Sequence, residues 1–329
     1  MLSKELFLEQ NIDEPAQRAA TRDGFGKGVV EAGKSDERVV VLSADLAEST
    51  RAEWFQKEFP KRYVEMGVAE QNMATVAAGM ANYGKIPFIT SYAAFSPGRN
   101  WEQIRTTIAL NNVPVVVCGM HAGVSVGPDG ATHQMLEDLA LMRALPNMIV
   151  LSPCDAEEAR KATLAAARSG KPVYIRFGRE KTPVMTSAET PFEIGKALTM
   201  WESPAPRVAL ISTGVLTHTA LCAAKALETE GVGSVVVHIH TIKPLDEERI
   251  AQVAQKCGAV VTIEEHQTTG GLGGAVAEAL SRLKPTPQEF IGVHDVFGQS
   301  GNPQELMAHY GMDVKAITET AKKVIARKQ

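Results

Sequence analysis

Short runs of apolar, often β-branched residues alternate along the chain with segments in which apolar residues recur every three or four positions. The first pattern is typical of strands and the second of helices that pack on one face. The apolar runs predict nine strands, the last of them weak: 38–43, 86–90, 113–119, 148–152, 172–177, 208–212, 234–239, 259–263 and 290–293. This alternation predicts an α/β fold with mainly parallel sheets covered by helices.

One predicted helix has clear signals at both ends. Asp155 is followed three residues later by Glu158, a spacing typical of a capped helix start. Gly170 follows an alanine-rich face, and glycine commonly ends a helix.

The regular pattern breaks between residues 181 and 206, a polar stretch with four prolines and no sustained periodicity. We therefore predict two domains, 1–190 and 191–329, each with its own sheet and covering helices. The second has about 135 residues and about five helices, and nearly all the candidate chemistry lies in the first.

Composition narrows the class of protein. The chain is 44% apolar and 22% charged, and its net charge of −4 is not that of a general nucleic-acid or anionic-membrane binder. No apolar run approaches the roughly 18 to 20 residues of a membrane span, and the acidic first fifteen residues are not arranged as a signal peptide. Four scattered cysteines suggest neither zinc nor disulfides, so we expect a reduced, cytoplasmic setting.

Glu70 is the most informative single residue. Met73, Ala74 and Ala77 follow it at helical spacing, so its carboxylate shares the packed face of a helix start. A carboxylate there must find a partner or take up a proton, because burying it unpaired is costly. The alternative, which this segment alone does not exclude, is that Glu70 only complements the helix dipole.

Other polar residues fall just where predicted strands end. Asp45, Ser91, His121 and Arg179 each follow a different strand within a few residues. Ligands of open parallel sheets bind at the carboxyl ends of strands, so these positions predict one rim.

The loop 123–134 contains three glycines and a Pro-Asp-Gly turn, which would let its backbone approach a ligand closely. We expect Asp129 and His133 to flank the start of a helix running through Leu136 and Leu139, where a histidine could relay protons. The alternative, favoured by the loop taken alone, is a tight turn with His133 as an exposed first-turn residue.

Two further features suggest structure rather than chemistry. His238 and His240 share one face of a strand, but two histidines without a carboxylate or third ligand nearby make a poor metal site. The run Gly270-Gly271-Leu272-Gly273-Gly274 lacks the Lys-Ser/Thr of a phosphate-binding loop, so we interpret it as a strand-to-helix turn. No metal ligands are predicted in this chain.

Several blocks of sequence resemble the transketolase family, in order and over nearly the whole chain. They are Ser-Ala-Asp-Leu-Ala (43–47), Gly-Val-Ala-Glu-Gln (67–71), Gly-Pro-Asp-Gly-Ala-Thr-His-Gln (127–134), Leu-Pro-Asn-Met (145–148) with Pro-Cys-Asp (153–155), Thr-Ile-Lys-Pro-Leu-Asp (241–246) and Glu-Glu-His (264–266). The resemblance implies a pyrimidine-binding domain for thiamine diphosphate, followed by a transketolase C-terminal domain.

The family's diphosphate-binding motif, Gly-Asp-Gly with a later Asn, is missing here. The chain therefore resembles the C-terminal half of a split transketolase, in which each half is a separate polypeptide. The resemblance implies that an N-terminal transketolase subunit supplies the site for the diphosphate and for Mg²⁺ or Ca²⁺. It also implies that the two chains assemble, with self-association, as an α2β2 heterotetramer.

The resemblance also implies cofactor contacts. A glutamate at the position of Glu70 hydrogen-bonds N1′ of the aminopyrimidine and so favours the imino tautomer that activates the cofactor. Phe95 and Tyr92 would line the ring face, although Ala93 and Ala94 depart from the family's aromatic-rich pattern. Val68 and Asp45 would lie near the cofactor, Asp45 at the subunit interface.

For the substrate, Arg22, Ser49, His121 and Arg179 match the family's contacts to the phosphate end of a sugar phosphate. Two guanidinium groups with a hydroxyl and an imidazole suit a phosphate dianion. Asp129 matches a contact to a substrate hydroxyl, and His133 matches the histidine near the donor carbonyl, suited to proton transfer.

The expected activity is transfer of a two-carbon ketol unit between a ketose phosphate and an aldose phosphate. One alternative is the β subunit of a 2-oxo-acid dehydrogenase decarboxylase, whose substrates carry no phosphate. A 1-deoxyxylulose 5-phosphate synthase is also related, though usually a single full-length chain. A hypothesis of a different kind is a non-catalytic assembly or regulatory protein with the same fold. The retention of Glu70, Asp129 and His133 argues against it.

Overall fold

Strands and helices alternate along residues 1–328, the part of the chain that the computed structural model describes. The strands are β1 Arg18–Ala20, β2 Val39–Ser43, β3 Tyr63–Glu65, β4 Ile86–Tyr92, β5 Val116–Met120, β6 Ile149–Leu151, β7 Val173–Arg176, β8 Lys181–Pro183, β9 Leu198–Glu202, β10 Pro206–Ser212, β11 Gly233–His238, β12 Thr241–Lys243, β13 Val260–Gln267 and β14 Gln288–Val293.

The α-helices are α1 Thr21–Ser35, α2 Ala47–Thr50, α3 Ala52–Glu58, α4 Glu70–Asn82, α5 Trp101–Gln103, α6 Asp138–Arg143, α7 Ala156–Arg168, α8 Leu216–Thr229, α9 Glu247–Cys257, α10 Leu272–Leu283, α11 Pro303–His309 and α12 Val314–Ile325. Helix α5 continues as a π-helical turn over Ile104–Ala109, and 3₁₀ turns cover Pro60–Arg62 and Val124–Asp129.

The first sheet has the strand order β12-β6-β7-β5-β4-β2-β3. All its pairings are parallel except that of β12 with β6. All five residues of β2 and of β5 are buried, as expected for strands covered by helices on both faces.

The second sheet has the order β14-β13-β10-β11-β9, parallel except for the edge strand β9. The two mainly parallel, helix-covered sheets confirm the predicted fold class.

All nine predicted strands are present, but β1, β3, β8, β9 and β12 were not predicted. The stretch between residues 181 and 206, where no strand was predicted, contains β8 and β9. Four of the five missed strands have three residues, too few for a visible period. All five lie at sheet edges or in the two-stranded ribbon β1-β8.

The predicted ends of α7 are confirmed. Asp155 Oδ1 accepts the backbone N–H of Glu158 at 2.9 Å, and Gly170, just beyond the helix, has φ +63°. Asp155 Oδ2 also accepts the N–H groups of Met185 and Thr186, at 2.8 and 2.7 Å, and so ties the helix start to the end of the first half.

Contacts cross the division near residue 190 in both directions. At the N-terminus, Ser3 N–H donates to Met200 O, and the side chains of Leu8 and Ile12 are buried in the core of the second half. Strand β12, from beyond residue 190, pairs with β6 of the first sheet. The placement of the boundary at residue 190 stays a prediction.

No helix within residues 1–328 is both long enough and apolar enough to cross a bilayer.

Candidate active site

The carboxyl ends of β2, β4, β5 and β7 meet at one edge of the first sheet, because these strands are parallel neighbours. Asp45 lies two residues beyond β2, His121 directly follows β5, and Arg179 lies three residues beyond β7. The predicted rim of polar residues is therefore present. Ser91 and Tyr92 form the end of β4 itself rather than following it.

Glu70 is the first residue of α4 and is 1% exposed. Met73, Ala74 and Ala77 on the same face are fully buried, which confirms the helical pattern. The Glu70 carboxylate has found partners: Arg99 Nη1 lies 2.8 Å from Oε2, and Ser91 Oγ donates to Oε1 at 3.2 Å. A buried carboxylate with a guanidinium and a hydroxyl as partners does more than complement the helix dipole, so the prediction that Glu70 is buried and partnered is confirmed.

Arg99 also covers one of the predicted cofactor-binding rings. Its guanidinium carbon lies 4.7 Å from the ring centroid of Phe95. The Arg99 side chain remains 47% exposed, so it reaches the buried carboxylate from the surface.

Aromatic and imidazole rings join Glu70's surroundings to the rest of the rim. Tyr92 stacks on His121 with centroids 4.2 Å apart and lies 6.0 Å from Phe95. His133 meets Phe95 edge-on at 5.4 Å, and its Nδ1 is 2.9 Å from Thr132 Oγ1. Four predicted site residues thus form one cluster.

At the other side of His121 the site is cationic. Arg22 Nη1 donates to Ser49 O at 2.9 Å and lies 3.0 Å from His121 Nε2. Burial, followed by the charges of Arg22 and Arg179, lowers the pKa of His121 to about 3. Burial, followed by the nearby charge of Arg51, also lowers the pKa of Arg22.

Two buried donors in this cationic group have no acceptor among the described residues. Because Arg22 can only donate, His121 Nε2 accepts and the proton of the neutral ring lies on Nδ1. That Nδ1 and Arg22 Nε are both buried and without a hydrogen-bond partner within residues 1–328. Unpaired buried donors beside several positive charges favour an anionic ligand.

Two contributors, Arg51 and Arg99, were missed by sequence reasoning, and the contact of Ser91 with Glu70 was not predicted either. Arg51 pairs with Asp23 at 2.7 Å and lies two residues after Ser49. Arg99 lies four residues after Phe95. Their nearness in sequence to predicted site residues was the available signal, but it does not reveal which carboxylate each guanidinium reaches.

Three predicted residues lie outside this contact network. Asp129 and Asp45 are exposed, and their side chains make no hydrogen bond or ion pair within the described chain. Asp45 is held through its backbone N–H, which donates to Glu65 Oε1 at 2.8 Å. Val68 is 70% exposed. Ser49 contributes its carbonyl rather than its hydroxyl to Arg22.

The expected helix start beside Asp129 and His133 is wrong. Helix α6 begins at Asp138, and Leu136 lies before it. Gly127 and Gly130 have φ +81° and +73°, outside the right-handed helical region, so they direct the chain into a loop. His133 is consequently a half-buried loop residue rather than a first-turn residue.

The histidine pair does have a carboxylate nearby, contrary to expectation. Glu158 Oε2 lies 2.7 Å from His238 Nε2, and Cys154 Sγ is within 4.8 Å of the ligand atoms of both. The same oxygen accepts the Cys154 N–H at 2.7 Å, so hydrogen bonding accounts for this buried cluster. Glu158 lies in α7 and His238 in β11, 80 positions apart in sequence.

The glycine run is a strand-to-helix turn, as predicted. Helix α10 begins at Leu272, and the Glu264 carboxylate accepts the N–H groups of Leu272 and Gly273, each at 2.7 Å. An internal carboxylate thus takes the place that a bound anion would occupy.

Comparison with known families covers both halves of the chain. Residues 17–185 match the transketolase pyrimidine binding domain, and residues 195–317 match the transketolase C-terminal domain.

The similarity to relatives covers nearly the whole length of both chains. The chain is 42% identical over 301 residues to a putative transketolase C-terminal section of Methanocaldococcus jannaschii, covering 91% of this chain and 94% of that one. It is 37% identical over 321 residues to the 6-deoxy-6-sulfo-D-fructose transketolase subunit SqwH of Clostridium sp. (strain MSTE9), covering 98% and 99%.

Among solved structures, one described as a split gene transketolase, inactive beta4 tetramer, aligns with a TM-score of 0.88. It is 44% identical and covers 94% of this chain and 99% of that chain. None of these relatives favours the 2-oxo-acid dehydrogenase alternative. The chain belongs to the transketolase family, of which it is the C-terminal half in split form, with a pyrimidine-binding domain followed by a C-terminal domain.

Proposed function

We propose that this chain is the C-terminal subunit of a thiamine-diphosphate-dependent transketolase that moves a two-carbon ketol unit between a ketose phosphate and an aldose phosphate. The observation that carries the proposal is the pairing, on one rim, of a buried carboxylate at Glu70 with a cationic pole at Arg22 and His121. Tyr92 and Phe95 lie between the two.

The residues at Glu70 fit the aminopyrimidine half of the cofactor. Glu70 offers a carboxylate oxygen, Phe95 and Tyr92 offer ring faces, and the exposed Val68 and Asp45 lie on the outer side where a second chain could cover them. Arg99 holds both Glu70 and Phe95, so it must move before a ring can stack there. Its side chain is 47% exposed, so a movement towards solvent would uncover the ring of Phe95.

When bound, thiamine diphosphate supplies the nucleophilic carbon and the electron sink for breaking and forming the carbon–carbon bond. Glu70 would hydrogen-bond the pyrimidine nitrogen and thereby favour the activating tautomer. His133, half-buried and beside Phe95, would transfer protons at the donor carbonyl, and Asp129 would bind a substrate hydroxyl.

The cationic pole would bind the phosphate of the sugar. Neutral His121 offers its unpaired Nδ1–H, Arg22 offers its unpaired Nε–H, and Arg179 adds a second guanidinium, with Ser49 alongside. Buried donors without competing acceptors in the described chain gain charge-assisted hydrogen bonds when a dianion binds. This supports a phosphorylated substrate over an uncharged one.

The diphosphate and its Mg²⁺ or Ca²⁺ would be held by an N-terminal transketolase subunit, with an α2β2 assembly. The subunit and section names of the relatives support a partner. We also propose a cytoplasmic setting, since the four cysteines are free within the described chain.

The test is reconstitution with a chain that carries the Gly-Asp-Gly motif and a later Asn. The pair, supplied with thiamine diphosphate and Mg²⁺, is assayed against a panel of ketose and aldose phosphates. We expect turnover by the pair and none by this chain alone. Glu70→Gln should lower turnover roughly a hundredfold or more, because it removes the proton-sharing carboxylate.

Glu319→Gln, an exposed change in α12, is the matched control and should leave turnover unchanged. Turnover by the chain alone would contradict the split enzyme. Normal turnover of the Glu70→Gln pair would remove Glu70 from the mechanism, and a wild-type pair with no activity on any substrate would favour an assembly role.

A further inference from the structure

The loop that carries Asp129 and His133 is held from both halves of the molecule. From the first half, Arg179 Nη1 donates to Val126 O at 2.6 Å. From the second half, the carboxylate of Glu265 accepts the backbone N–H of Ser125 at 2.7 Å. The backbone of two adjacent residues in one loop, Ser125 and Val126, thus joins Glu265 to Arg179.

Glu265 is itself rigidly placed at the end of β13. Its backbone carbonyl accepts from Arg176 Nη2 at 2.7 Å, and Arg176 Nε pairs with Asp138 at 2.9 Å. Glu265, Arg176 and Asp138 are all buried. A carboxyl group fixed in this way gives a well-defined position to the amide from which it accepts a hydrogen bond.

The loop has little room to move away from this carboxylate. A Cβ added to Gly123 would overlap the Glu265 carboxylate, and one added to Gly298 would overlap the side-chain amide of Gln134. Gln134 Nε2 in turn donates to Val124 O and Gln299 O, at 3.1 and 3.0 Å. The second half therefore encloses the loop from two sides.

We propose that Glu265 is a positioning residue for substrate binding: it fixes the Ser125–Val126 backbone from the C-terminal domain and, through Val126 O, orients Arg179. The proposal rests on the proposed function in assigning a phosphate to Arg179. It gives the C-terminal domain a direct part in forming the substrate site, beyond packing.

A purely architectural role for Glu265 is separable from this one, because its neighbour Glu264 offers a matched control. Glu264 is also buried, on the same strand, and also accepts backbone N–H groups, but those belong to α10 of its own domain. Loss of either carboxylate should destabilise the C-terminal domain, whereas only loss of Glu265 should free the loop.

The first arm measures amide hydrogen exchange of the peptide covering residues 121–130 in the full chain, without cofactor or substrate. Glu265→Ala should speed exchange of the Ser125 amide by about tenfold or more, since its acceptor is lost. Glu265→Gln keeps an oxygen acceptor and should restore most of the protection. Unchanged exchange in Glu265→Ala, or an equal increase in Glu264→Ala, would overturn the proposal.

The second arm uses the reconstituted, active complex. Glu265→Ala should raise KM for the phosphorylated substrate by about tenfold with a smaller change in kcat, as loss of an oriented guanidinium predicts. Glu265→Gln should return KM towards that of the wild type, and Glu264→Ala should leave it unchanged. A fall in kcat with an unaltered KM would overturn the role of Arg179.

The two arms fail in different ways. If the wild-type complex has no activity on sugar phosphates, the proposed function fails, and the exchange experiment still decides whether Glu265 fixes the loop. If the complex is active and the exchange rates of Glu265→Ala and Glu264→Ala are alike, the function stands and the positioning role falls.

Discussion

Glu70 and His121 are both buried polar side chains next to a guanidinium, yet the neighbouring charge acts on them in opposite ways. Arg99 reaches the carboxylate of Glu70 from the surface and pairs with it, with Nη1 2.8 Å from Oε2. Burial, followed by the charge of Arg22, disfavours the charged form of His121, so that ring stays neutral and keeps one donor free. The same kind of neighbour thus prepares one residue to accept a hydrogen bond and the other to donate one.

The neutral state of His121 predicts a pH-dependent stability. Its pKa is about 3 in the folded chain against an ordinary value of 6.5, so below pH 6.5 the unfolded chain binds a proton that the folded chain does not. Stability contributed at this site is therefore constant above pH 6.5, falls as the pH drops towards 3, and levels off below that. Between pH 7 and 5 the loss should be about 2 kcal/mol.

The measurement is urea unfolding of wild type and His121→Asn at pH 7 and pH 5. Asparagine tolerates the positive φ of +54° at this position. Other buried groups titrate in both proteins, so the informative quantity is the difference, and the variant should lose about 2 kcal/mol less on acidification. Equal losses would mean that His121 is protonated in the folded chain.

At the scale of elements, the packing of α1 on α7 sets the position of Arg22. Arg22 is the second residue of α1, and the helix presents Gly24 and Gly28 to α7. A Cβ on Gly24 would overlap the carbonyl oxygen of Ala156, and one on Gly28 would lie 2.8 Å from that of Arg160. The glycines allow the two helix backbones to approach closely.

Gly24→Ala should therefore lower the free energy of unfolding by about 1–3 kcal/mol, because the added methyl must separate two packed helices. Gly79→Ala is the control: Gly79 is exposed within α4 and has open space around its Cβ position. There alanine should stabilise the chain by roughly 0.5–1 kcal/mol through helix propensity. Denaturant unfolding measures both, and a neutral Gly24→Ala would show that α1 and α7 can separate without cost.

At the scale of the whole molecule, each half contributes a segment that packs against the other half. The N-terminal segment packs into the core of the second half, and β12 completes the edge of the first sheet. Glu265 reaches the loop of the first half. Arg179 and its loop therefore depend on contacts made by both halves.

The N-terminal segment offers a test of this coupling in two adjacent residues. Leu8 is 5% exposed within the second core, whereas Phe7 is 58% exposed. Leu8→Ala should destabilise the chain by about 2–4 kcal/mol through the cavity that it leaves. Phe7→Ala should change stability by about 0.5 kcal/mol or less. Similar effects of the two changes in urea unfolding would show that the segment does not contribute to the core.

Local patterns were sufficient for much of the fold. The longer strands, the start and end of α7, and the glycine turn before α10 were all predictable, because each depends on residues within one element or turn. Short edge strands such as β12 were not, since their pairing partners lie far away in sequence.

For the site, the chain's own residues determined the rim and most of its members, because parallel strands bring their carboxyl ends to one edge whatever the loops do. Only the tertiary structure decided the partners: Arg99 for Glu70, Glu158 for His238, and Glu265 for the loop at Ser125. These pairs are 29, 80 and 140 positions apart. The choice among many possible carboxylate and guanidinium pairs is made by packing, which no local period encodes.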